Sequence, residues 1–402
     1  MVKKTKESLD KLKEAMNELK TQYGKEIVRT YDQQVDCQII PSGFYELDKA
    51  TNLGGIPMGK MFEFSGPESS GKTTMAWQVL SELSRVTGKK ILCLDYEMAT
   101  SKPYLRQLGV PVEDVIWALP EDSSLEDGFE ILKKLLPTGA FCGAIVDSVA
   151  MMIPKAEAES VEEKGLEGND MMLKAKVLTK ALRNYGPIFR KSGAVVIFIN
   201  HLMAKVQTGG FAPMGESEET PGGKAFKHNC DLRITLKPLN YVTKQVASDK
   251  DPKKKVNVKI GREVKIKFIK NRVGEPFGEE VMTLRNGKGF DIVTSVIKRS
   301  LADGIVVKAA GGEHRFKDDP TIKASSYLNF WTLLTVNPKL LQVLISKLKG
   351  KAVKYENKDF DLSAGDREVS ASEIGATEEA EGDPQTGNTK VVDADNDENV
   401  IV

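Results

Sequence analysis

The feature that most restricts the fold of this chain is the segment at residues 66–73, which reads GPESSGKT. It fits the pattern GxxxxGK[ST], follows the apolar strand pattern MFEF, and opens a helical pattern that begins near Lys72. In such a loop the backbone N–H groups and the helix N-terminus face phosphate oxygens. The segment therefore predicts a nucleotide-binding α/β fold, and the alternative is a chance match to the pattern.

The same motif predicts ATP and Mg²⁺ as ligands. Lys72 supplies a positive charge at the β and γ phosphates, and Thr73 supplies a hydroxyl for the magnesium ion. The residues of the loop that we expect to contact the nucleotide are Gly66, Pro67, Glu68, Ser69, Ser70, Gly71, Lys72, Thr73 and Thr74.

Short apolar runs alternate with amphipathic segments along the first two thirds of the chain. The runs MFEFSG, KKILCLD, CGAIVDS and AVVIFIN are typical of buried parallel strands, and helical patterns lie between them at residues 73–87, 124–136 and 171–191. This alternation predicts a doubly wound, mainly parallel sheet with ligands at the carboxyl ends of its strands. The later runs DLRITLK and EVKIKFIKNR predict antiparallel strands added at one edge.

Carboxylates stand at the ends of two of these strands. Asp147 ends CGAIVDS and is expected to hold the water shell of Mg²⁺ beside Thr73, or alternatively to cap the segment that follows. Asp95 and Glu97 follow ILCL, where a carboxylate can orient and polarise the water that attacks the γ-phosphate. We interpret Glu97 as this base and Asp95 as structural.

A histidine and two irregular segments complete the predicted site. His201 ends IFINH, where its ring can touch the γ-phosphate and report its presence; the alternative is a packed or solvated histidine. Residues 156–170 and about twenty residues after His201 are predicted loops. Both leave strands of the nucleotide site, so we expect them to couple the nucleotide to another ligand, unless they are surface insertions.

Composition and charge limit the classes of protein to which the chain can belong. No apolar run approaches the roughly 20 residues that cross a bilayer, and the four cysteines form no CxxC pair, which together predict a soluble, cytoplasmic protein without a zinc site. Residues 356–402 hold fourteen acidic and three basic residues, so residues 1–355 carry a net charge of +12 against +1 for the whole chain. Such a tail either competes with nucleic acid for a basic surface or only solubilises the protein.

The composition changes along the chain predict four parts. Residues 1–34 form an amphipathic helix with a tether, which docks either on its own core or, as an oligomerisation helix, on a neighbouring copy, and residues 35–289 form the core. Residues 290–350 form a small α/β domain, and residues 351–402 form an acidic disordered tail.

Seven segments together resemble the RecA family of homologous-recombination ATPases. In chain order they are GGIPMGKMFEFSGPESSGKTT, DYEMATSKPYLRQLGV, IVDSVAMMIPKAEAE, VVIFINH, TPGGKAFK, IKNRVGEPF and GIVVKAAGGEHRFKD, with NPKLL following. They cover about residues 35–350. His201 stands where bacterial members usually have glutamine. In this respect the chain is similar to the viral UvsX-type branch. If the protein is viral, its expected location is the host cytoplasm.

The resemblance implies an ATP-dependent recombinase that forms a helical filament on single-stranded DNA, pairs it with a homologous duplex and exchanges strands. By position, Glu97 matches the water-activating glutamate, Tyr104 the residue that stacks on adenine, and His201 the γ-phosphate sensor. Lys270 and Arg272 match a basic pair that reaches the ATP of the adjacent subunit. The resemblance also implies single-strand-binding and loading proteins as further partners. It implies no association with a membrane.

The resemblance also assigns DNA contacts to the loop after His201. Val206 matches the aliphatic residue that inserts between base triplets. Met203 and Asp170 stand where arginines are usual, which departs from the family pattern. The full set of predicted DNA contacts is Lys205, Val206, Phe211, Gly222 and Gly223.

Two other functions share parts of this pattern. A ring-shaped replicative helicase has the same core and a glutamate after the second strand, but it translocates instead of pairing strands. A mediator binds DNA without hydrolysing ATP, which the presence of Lys72, Glu97 and Asp147 disfavours. The N-terminal helix, the IKNR segment and the acidic tail favour the filament.

Overall fold

The computed structural model describes residues 2–23, 37–118, 123–164, 171–204, 218–219, 224–247, 255–348 and 390–392. The chain divides into two units, Met1–Gln38 and Ile39–Val402. Within the described residues, no helix is long and apolar enough to cross a membrane.

The helices and strands of the described residues are numbered in chain order. The helices are α1 (Val2–Tyr23), α2 (Tyr45–Ala50), α3 (Lys72–Thr87), α4 (Lys102–Gln107), α5 (Leu125–Leu135), α6 (Lys155–Lys164), α7 (Met171–Ser192), α8 (Lys224–Asn229), α9 (Ile292–Ala302), α10 (Tyr327–Val336) and α11 (Pro338–Leu348). The strands are β1 (Ile39–Ile40), β2 (Ile56–Pro57), β3 (Met61–Gly66), β4 (Lys90–Asp95), β5 (Val115–Ala118), β6 (Phe141–Asp147), β7 (Val195–His201), β8 (Met203–Ala204), β9 (Glu218–Glu219), β10 (Leu232–Ala247), β11 (Lys255–Asn271), β12 (Glu279–Arg285), β13 (Gly289–Phe290), β14 (Val306–Lys308), β15 (His314–Phe316), β16 (Lys323–Ala324) and β17 (Lys390–Val392).

One large sheet forms the body of the second unit. Its strand order is β13-β12-β11-β10-β3-β7-β6-β4-β5, and β17 pairs with β10 off this path. The pairs from β10 through β3, β7, β6 and β4 to β5 are parallel, whereas β10, β11, β12 and β13 are joined in antiparallel pairs. The predicted doubly wound α/β fold with antiparallel strands at one edge is therefore confirmed.

The central strands are apolar throughout because helices cover both faces of the sheet. On one face α3 packs through Trp77 and Leu80, whose side chains are fully buried. On the other face α5 and α7 pack through Phe129 and Phe189. Every residue of β3 and β6 is buried, so these two strands hold the middle of the core in place.

The carboxyl ends of four neighbouring strands meet at one edge of the sheet. β3, β7, β6 and β4 are adjacent, parallel and end at Gly66, His201, Asp147 and Asp95. Ligands of open α/β sheets bind outside the carboxyl ends of the strands. We call this edge the carboxyl edge.

One predicted loop is partly helical. Residues 156–170 were expected to be irregular, but α6 spans Lys155–Lys164. The sequence KAEAESVEEK is rich in alanine, glutamate and lysine, which are strong helix formers, so propensity outweighs the lack of an apolar stripe. Residues 165–170 lie outside the described residues.

Residues 292–348 have a hydrophobic core of their own. Helices α9, α10 and α11 pack around the three-stranded sheet β14-β15-β16. The core includes Phe316, Phe330, Leu334 and Leu344, all fully buried. Of the predicted tail, the structure describes only β17.

Asp48 in α2 gives the fold a specific dependence on pH. Its Oδ1 accepts a hydrogen bond of 2.8 Å from the N–H of Ser42, but burial raises the pKa of the carboxyl from 3.8 to about 7. Because the folded pKa lies above the unfolded one, the stability that Asp48 contributes is fully present below about pH 4 and is lost as the pH rises through about 7.

We expect Asp48→Asn to flatten this dependence, because asparagine keeps the acceptor and cannot ionise. Between about pH 5 and about pH 8 the parent should lose more unfolding free energy than the variant, by on the order of 2 kcal/mol. Urea unfolding of both proteins at the two pH values measures the difference. Equal losses in parent and variant would contradict the assignment.

Candidate nucleotide-binding and catalytic site

The phosphate-binding loop is shaped by close backbone approaches. β3 ends at Gly66 and α3 begins at Lys72, with Gly71 at the helix N-cap in the left-handed region at φ +86°. A Cβ atom on Gly71 would also lie 3.0 Å from the side chains of Leu284 and Phe290. A Cβ on Gly66 would lie 2.4 Å from the carbonyl oxygen of Leu236, so this position too requires glycine.

Lys72 lies inside the loop and is only 6% exposed. Its ammonium donates hydrogen bonds to the carbonyl oxygens of Gly66 at 3.1 Å and Pro67 at 2.8 Å. Burial lowers its pKa from the ordinary value, and the carboxylates of Asp147, Glu97 and Glu68 oppose that effect. The cation is thus held in the loop, where a phosphate would offer it charged acceptors in place of carbonyls.

Asp147 at the end of β6 contacts the start of α3. Its Oδ2 accepts a hydrogen bond of 2.7 Å from the Thr73 hydroxyl, while its buried Oδ1 has no hydrogen-bond partner among the described residues. Burial raises its pKa to about 7, and the nearby Glu97 and Asp95 act in the same direction against the Thr73 hydrogen bond.

These two oxygen ligands fit a magnesium ion. Mg²⁺ is usually bound by one or two carboxylates together with water and substrate phosphates rather than by an all-protein cage. The described part of the chain holds no cluster of three or more histidine, cysteine or acidic residues that could hold a metal ion. The unpartnered Oδ1 of Asp147 is the acceptor that a metal-bound water would need.

Glu97 and His201 lie side by side across the carboxyl edge. The Nε2 atom of His201 is 2.9 Å from Oε1 of Glu97, and each side chain is about a quarter exposed, at 26% and 28%. Burial alone would raise the pKa of Glu97, but hydrogen bonding, including that to His201, and the charge of Lys72 bring the pKa below its ordinary value. An ionised, partly solvated carboxylate of this kind can accept a proton from water.

Tyr104 lies beside the loop at the first turn of α3. It belongs to α4, whose N-cap residue Ser101 accepts a hydrogen bond from the Tyr104 N–H. The Tyr104 and Thr74 hydroxyl oxygens are 2.7 Å apart, so the half-buried ring is fixed next to the predicted nucleotide site.

A cavity of about 290 Å³ lies between the phosphate-binding loop and the side chains of Asp147, Glu97 and His201, and Tyr104 is not part of its lining. Nine of the predicted residues line it, together with Ile199, which the sequence patterns did not single out. The lining residues are Glu68, Ser69, Gly71, Lys72, Thr73, Thr74, Glu97, Asp147, Ile199 and His201.

Lys270 and Arg272 do not line this cavity. β11 places Lys270 opposite Arg233, which lies opposite Glu63 near the middle of β3, before the phosphate-binding loop. The Lys270 ammonium donates to the carbonyl oxygens of Lys227 at 2.5 Å, Cys230 at 2.7 Å and His228 at 3.4 Å, and Arg272 donates to that of His228 at 2.6 Å. Both cations therefore contact the carboxyl end of α8. Burial and the neighbouring Arg272 lower the pKa of Lys270 to about 8.

A buried polar network behind His201 was not predicted. The side chain of Asn200 donates to Oε1 of Glu63 at 2.9 Å and accepts from the His201 N–H at 3.1 Å, and Glu63 also pairs with Arg233. Glu63 is fully buried. The signal in the sequence was an acidic residue inside the otherwise apolar run MFEF.

The predicted DNA contacts lie outside the described residues. These are Lys205, Val206, Phe211, Gly222 and Gly223, and Asp170 lies outside them as well. Met203 is in β8, which pairs with β9.

The strand, loop and helix at residues 61–87, with carboxylates on two neighbouring strand ends, define a P-loop nucleotide-binding protein of the doubly wound α/β class. The family model for the RecA N-terminal domain matches residues 10–291. The chain belongs to the RecA family.

Several bacterial RecA proteins are similar to the chain over most of their length. RecA of Thermus aquaticus is 32% identical over 363 residues, which cover 89% of this chain and 97% of that protein. RecA of Caldanaerobacter subterraneus is 32% identical over 76% of this chain and 84% of its own length, and RecA of Deinococcus radiodurans is 32% identical over 78% and 81%.

We expect Lys72→Ala to lower ATP turnover by roughly 10²- to 10³-fold, because the loop loses the cation that faces developing phosphate charge. Lys89→Ala, which removes an exposed lysine before β4, is the matched control and should leave turnover unchanged. Phosphate release at saturating ATP measures both, with circular dichroism to check folding. Turnover by Lys72→Ala close to that of the control would rule out this role.

Proposed function

We propose that this RecA-family protein is an ATP-dependent DNA recombinase. It assembles into helical filaments on single-stranded DNA, hydrolyses ATP when DNA is bound, and catalyses homologous pairing and strand exchange in recombination and repair. The observation that supports this proposal most strongly is the grouping of Lys72, Glu97 and His201 around one cavity at the carboxyl edge.

The chemistry proposed for the site uses the geometry directly. The loop N–H groups and Lys72 bind the phosphates, and Tyr104 stacks on the adenine. Glu97 accepts the proton of the attacking water, and His201, in hydrogen-bond contact with Glu97, senses the γ-phosphate. Thr73 and Asp147 would hold Mg²⁺, which neutralises charge on the phosphates when bound.

Lys270 and Arg272 are proposed to act on the ATP of a neighbouring copy. In their own protomer they contact the carboxyl end of α8 and are not part of the cavity lining. A cation that arrives from another subunit makes hydrolysis depend on assembly, and a trans arginine is worth roughly 10³- to 10⁵-fold in rate.

Further parts of the proposal concern organisation and partners. The four-part division at residues 1–34, 35–289, 290–350 and 351–402 is retained, with the first part joining neighbouring copies. Single-strand-binding and loading proteins are proposed partners, and the cytoplasm is the proposed location. Membership of the viral UvsX-type branch, based on His201, stays a prediction.

The decisive experiment combines a single-stranded circle with a homologous linear duplex. We expect ATP hydrolysis to be strongly stimulated by single-stranded DNA and joint molecules to form, followed by nicked circles, because the site is completed only on a filament. A gel assay for products with a phosphate-release assay measures both. Fork unwinding without strand exchange would instead favour the ring-shaped helicase.

The trans role of Lys270 and Arg272 can be tested by mixing two inactive variants. Lys270→Ala/Arg272→Ala keeps an intact nucleotide site, and Glu97→Gln keeps intact cations. We expect an equal mixture on single-stranded DNA to recover roughly one quarter of parental ATP turnover. With random assembly, one subunit interface in four pairs an intact nucleotide site with an intact Lys270 and Arg272.

Each variant alone, at the same total concentration, is the control for that mixture and should remain inactive. Negative-stain images establish that both variants assemble. If filaments form normally but the mixture shows no more ATP turnover than either variant alone, hydrolysis at an interface between two subunits is contradicted.

A further inference from the structure

Positive charge is concentrated in one part of the chain that the nucleotide site does not use. Residues 237–262 hold eight basic and two acidic residues, a net charge of +6. Residues 1–355 together carry +12, so half of the excess falls within this short segment. A concentration of this kind calls for a structural explanation.

The structure places the described residues of this segment, 237–247 and 255–262, on an extension of the sheet. β10 pairs with β3 over residues 232–235, and β11 pairs with β12 over residues 261–267. From the last two of those β12 pairs onward, β10 and β11 continue as a two-stranded antiparallel ribbon, residues 241–247 against 255–262, which we call the cationic ribbon. Because β10 runs parallel to β3, the ribbon extends past the carboxyl edge, on the side of the phosphate-binding loop.

The side chains of the ribbon present their charge to solvent. Lys244, Lys255 and Lys259 are exposed, and Lys255 and Lys259 share one face because side chains alternate along a strand. The Lys259 ammonium lies 4.3 Å from the ring centroid of Tyr241, and Arg262 donates a hydrogen bond of 2.9 Å to the Tyr241 hydroxyl. The aromatic ring thus supports two cations without neutralising them.

The lysines of β11 nearer the body of the protein differ. Lys265 and Lys267 both pair with Glu279 of β12, at 2.8 and 3.5 Å. Both ion pairs lie where β12 pairs with β11, and residues 255–260 of the ribbon lie beyond that pairing.

A short strand of the predicted tail pairs with the cationic ribbon. β17 pairs in parallel with residues 242–244 of β10. In the sequence β17 is followed at once by Asp393, Asp395, Asp397 and Glu398. The described part of the predicted tail, Lys390–Val392, therefore pairs with the ribbon through its backbone.

We propose that the cationic ribbon binds the phosphate backbone of DNA, at a site separate from the two loops. The proposal rests on the proposed function and adds a contact surface to it. Seven residues of ribbon span about 20 Å, and a two-stranded ribbon fits the roughly 12 Å wide major groove of B-form DNA. Lysines along such a ribbon reach phosphates and release counterions.

The test replaces the three exposed lysines, in Lys244→Gln/Lys255→Gln/Lys259→Gln. Binding to duplex and to single-stranded oligonucleotides is measured across a salt series by fluorescence anisotropy, without nucleotide. We expect the slope of log affinity against log salt to become shallower by roughly 0.9 for each lost contact on a duplex and roughly 0.7 on a single strand. The DNA, duplex or single-stranded, whose binding slope changes is the one whose phosphate backbone the ribbon binds.

Two matched variants separate charge from structure. Lys244→Arg/Lys255→Arg/Lys259→Arg keeps the charge and should keep the parental slope. Lys89→Gln/Lys134→Gln/Lys191→Gln removes three exposed lysines that precede the amino ends of β4, β6 and β7, and it should also keep the slope. An unchanged slope in the ribbon glutamine variant, or an equal change in the Lys89 control, overturns the proposal.

Activity distinguishes failure of this proposal from failure of the proposed function. The ribbon glutamine variant should keep single-stranded-DNA-stimulated ATP hydrolysis, because the cavity and the cations at α8 are unaltered. Loss of filament assembly together with that activity would mean that the ribbon joins copies of the chain, and would overturn DNA binding by it. If the parent itself shows no DNA-stimulated ATP hydrolysis, the proposed function fails. The salt dependence of binding still shows whether the ribbon binds DNA.

Removal of residues 356–402 provides a second, independent measurement. In the parent, the deletion should strengthen binding to DNA, because it removes fourteen acidic residues that can compete with phosphates for the ribbon. In the glutamine variant the same deletion should have little effect. An equal gain in both backgrounds would contradict a surface shared by the tail and DNA.

Discussion

The hydrogen bond from the Thr73 hydroxyl to Asp147 joins the first turn of α3 to the end of β6. It forms only if the phosphate-binding loop turns tightly enough to start the helix at Lys72, and if β7 alone separates β3 from β6. The buried central strands satisfy the second condition and Gly71 the first. Because Asp147 is buried, its charge is costly without a cation, and the nearby charge of Lys72 favours the ionised carboxylate.

Much of this site could be predicted because its parts are local or follow from topology. The loop at residues 66–73 is a continuous motif, and the ends of parallel strands meet at one edge whatever the exact strand order. Asp147, Glu97 and His201 each follow an apolar run, so their arrival at a common edge was expected. The 2.9 Å contact between Glu97 and His201 was not expected. It depends on the order β7-β6-β4 and on the path of the backbone beyond each strand.

Other features could not be predicted, because they depend on the register between distant strands. The pairing of Glu63 with Arg233 joins residues 170 positions apart, and a shift of one residue in β10 would turn Arg233 to the other face of the sheet. The contacts of Lys270 with the carbonyls of α8 have the same origin, since the register of β11 against β10 shifts by one residue next to Lys270. Helix α6 was missed for another reason: it has helix-forming residues without an apolar face.

In the proposed filament, different parts of the sheet bind the nucleotide, the DNA and the neighbouring copy. The carboxyl edge holds the nucleotide cavity, and the cationic ribbon extends past it, whereas Lys270 and Arg272 lie against α8. For Lys270 to reach a phosphate of another copy, its ammonium must give up backbone carbonyls, which are neutral acceptors. A triphosphate oxygen is charged and forms a bond roughly twice as strong. The exchange is therefore favourable when a neighbour presents ATP and unfavourable otherwise, so the proposed dependence of turnover on assembly follows from the resting contacts of a single side chain.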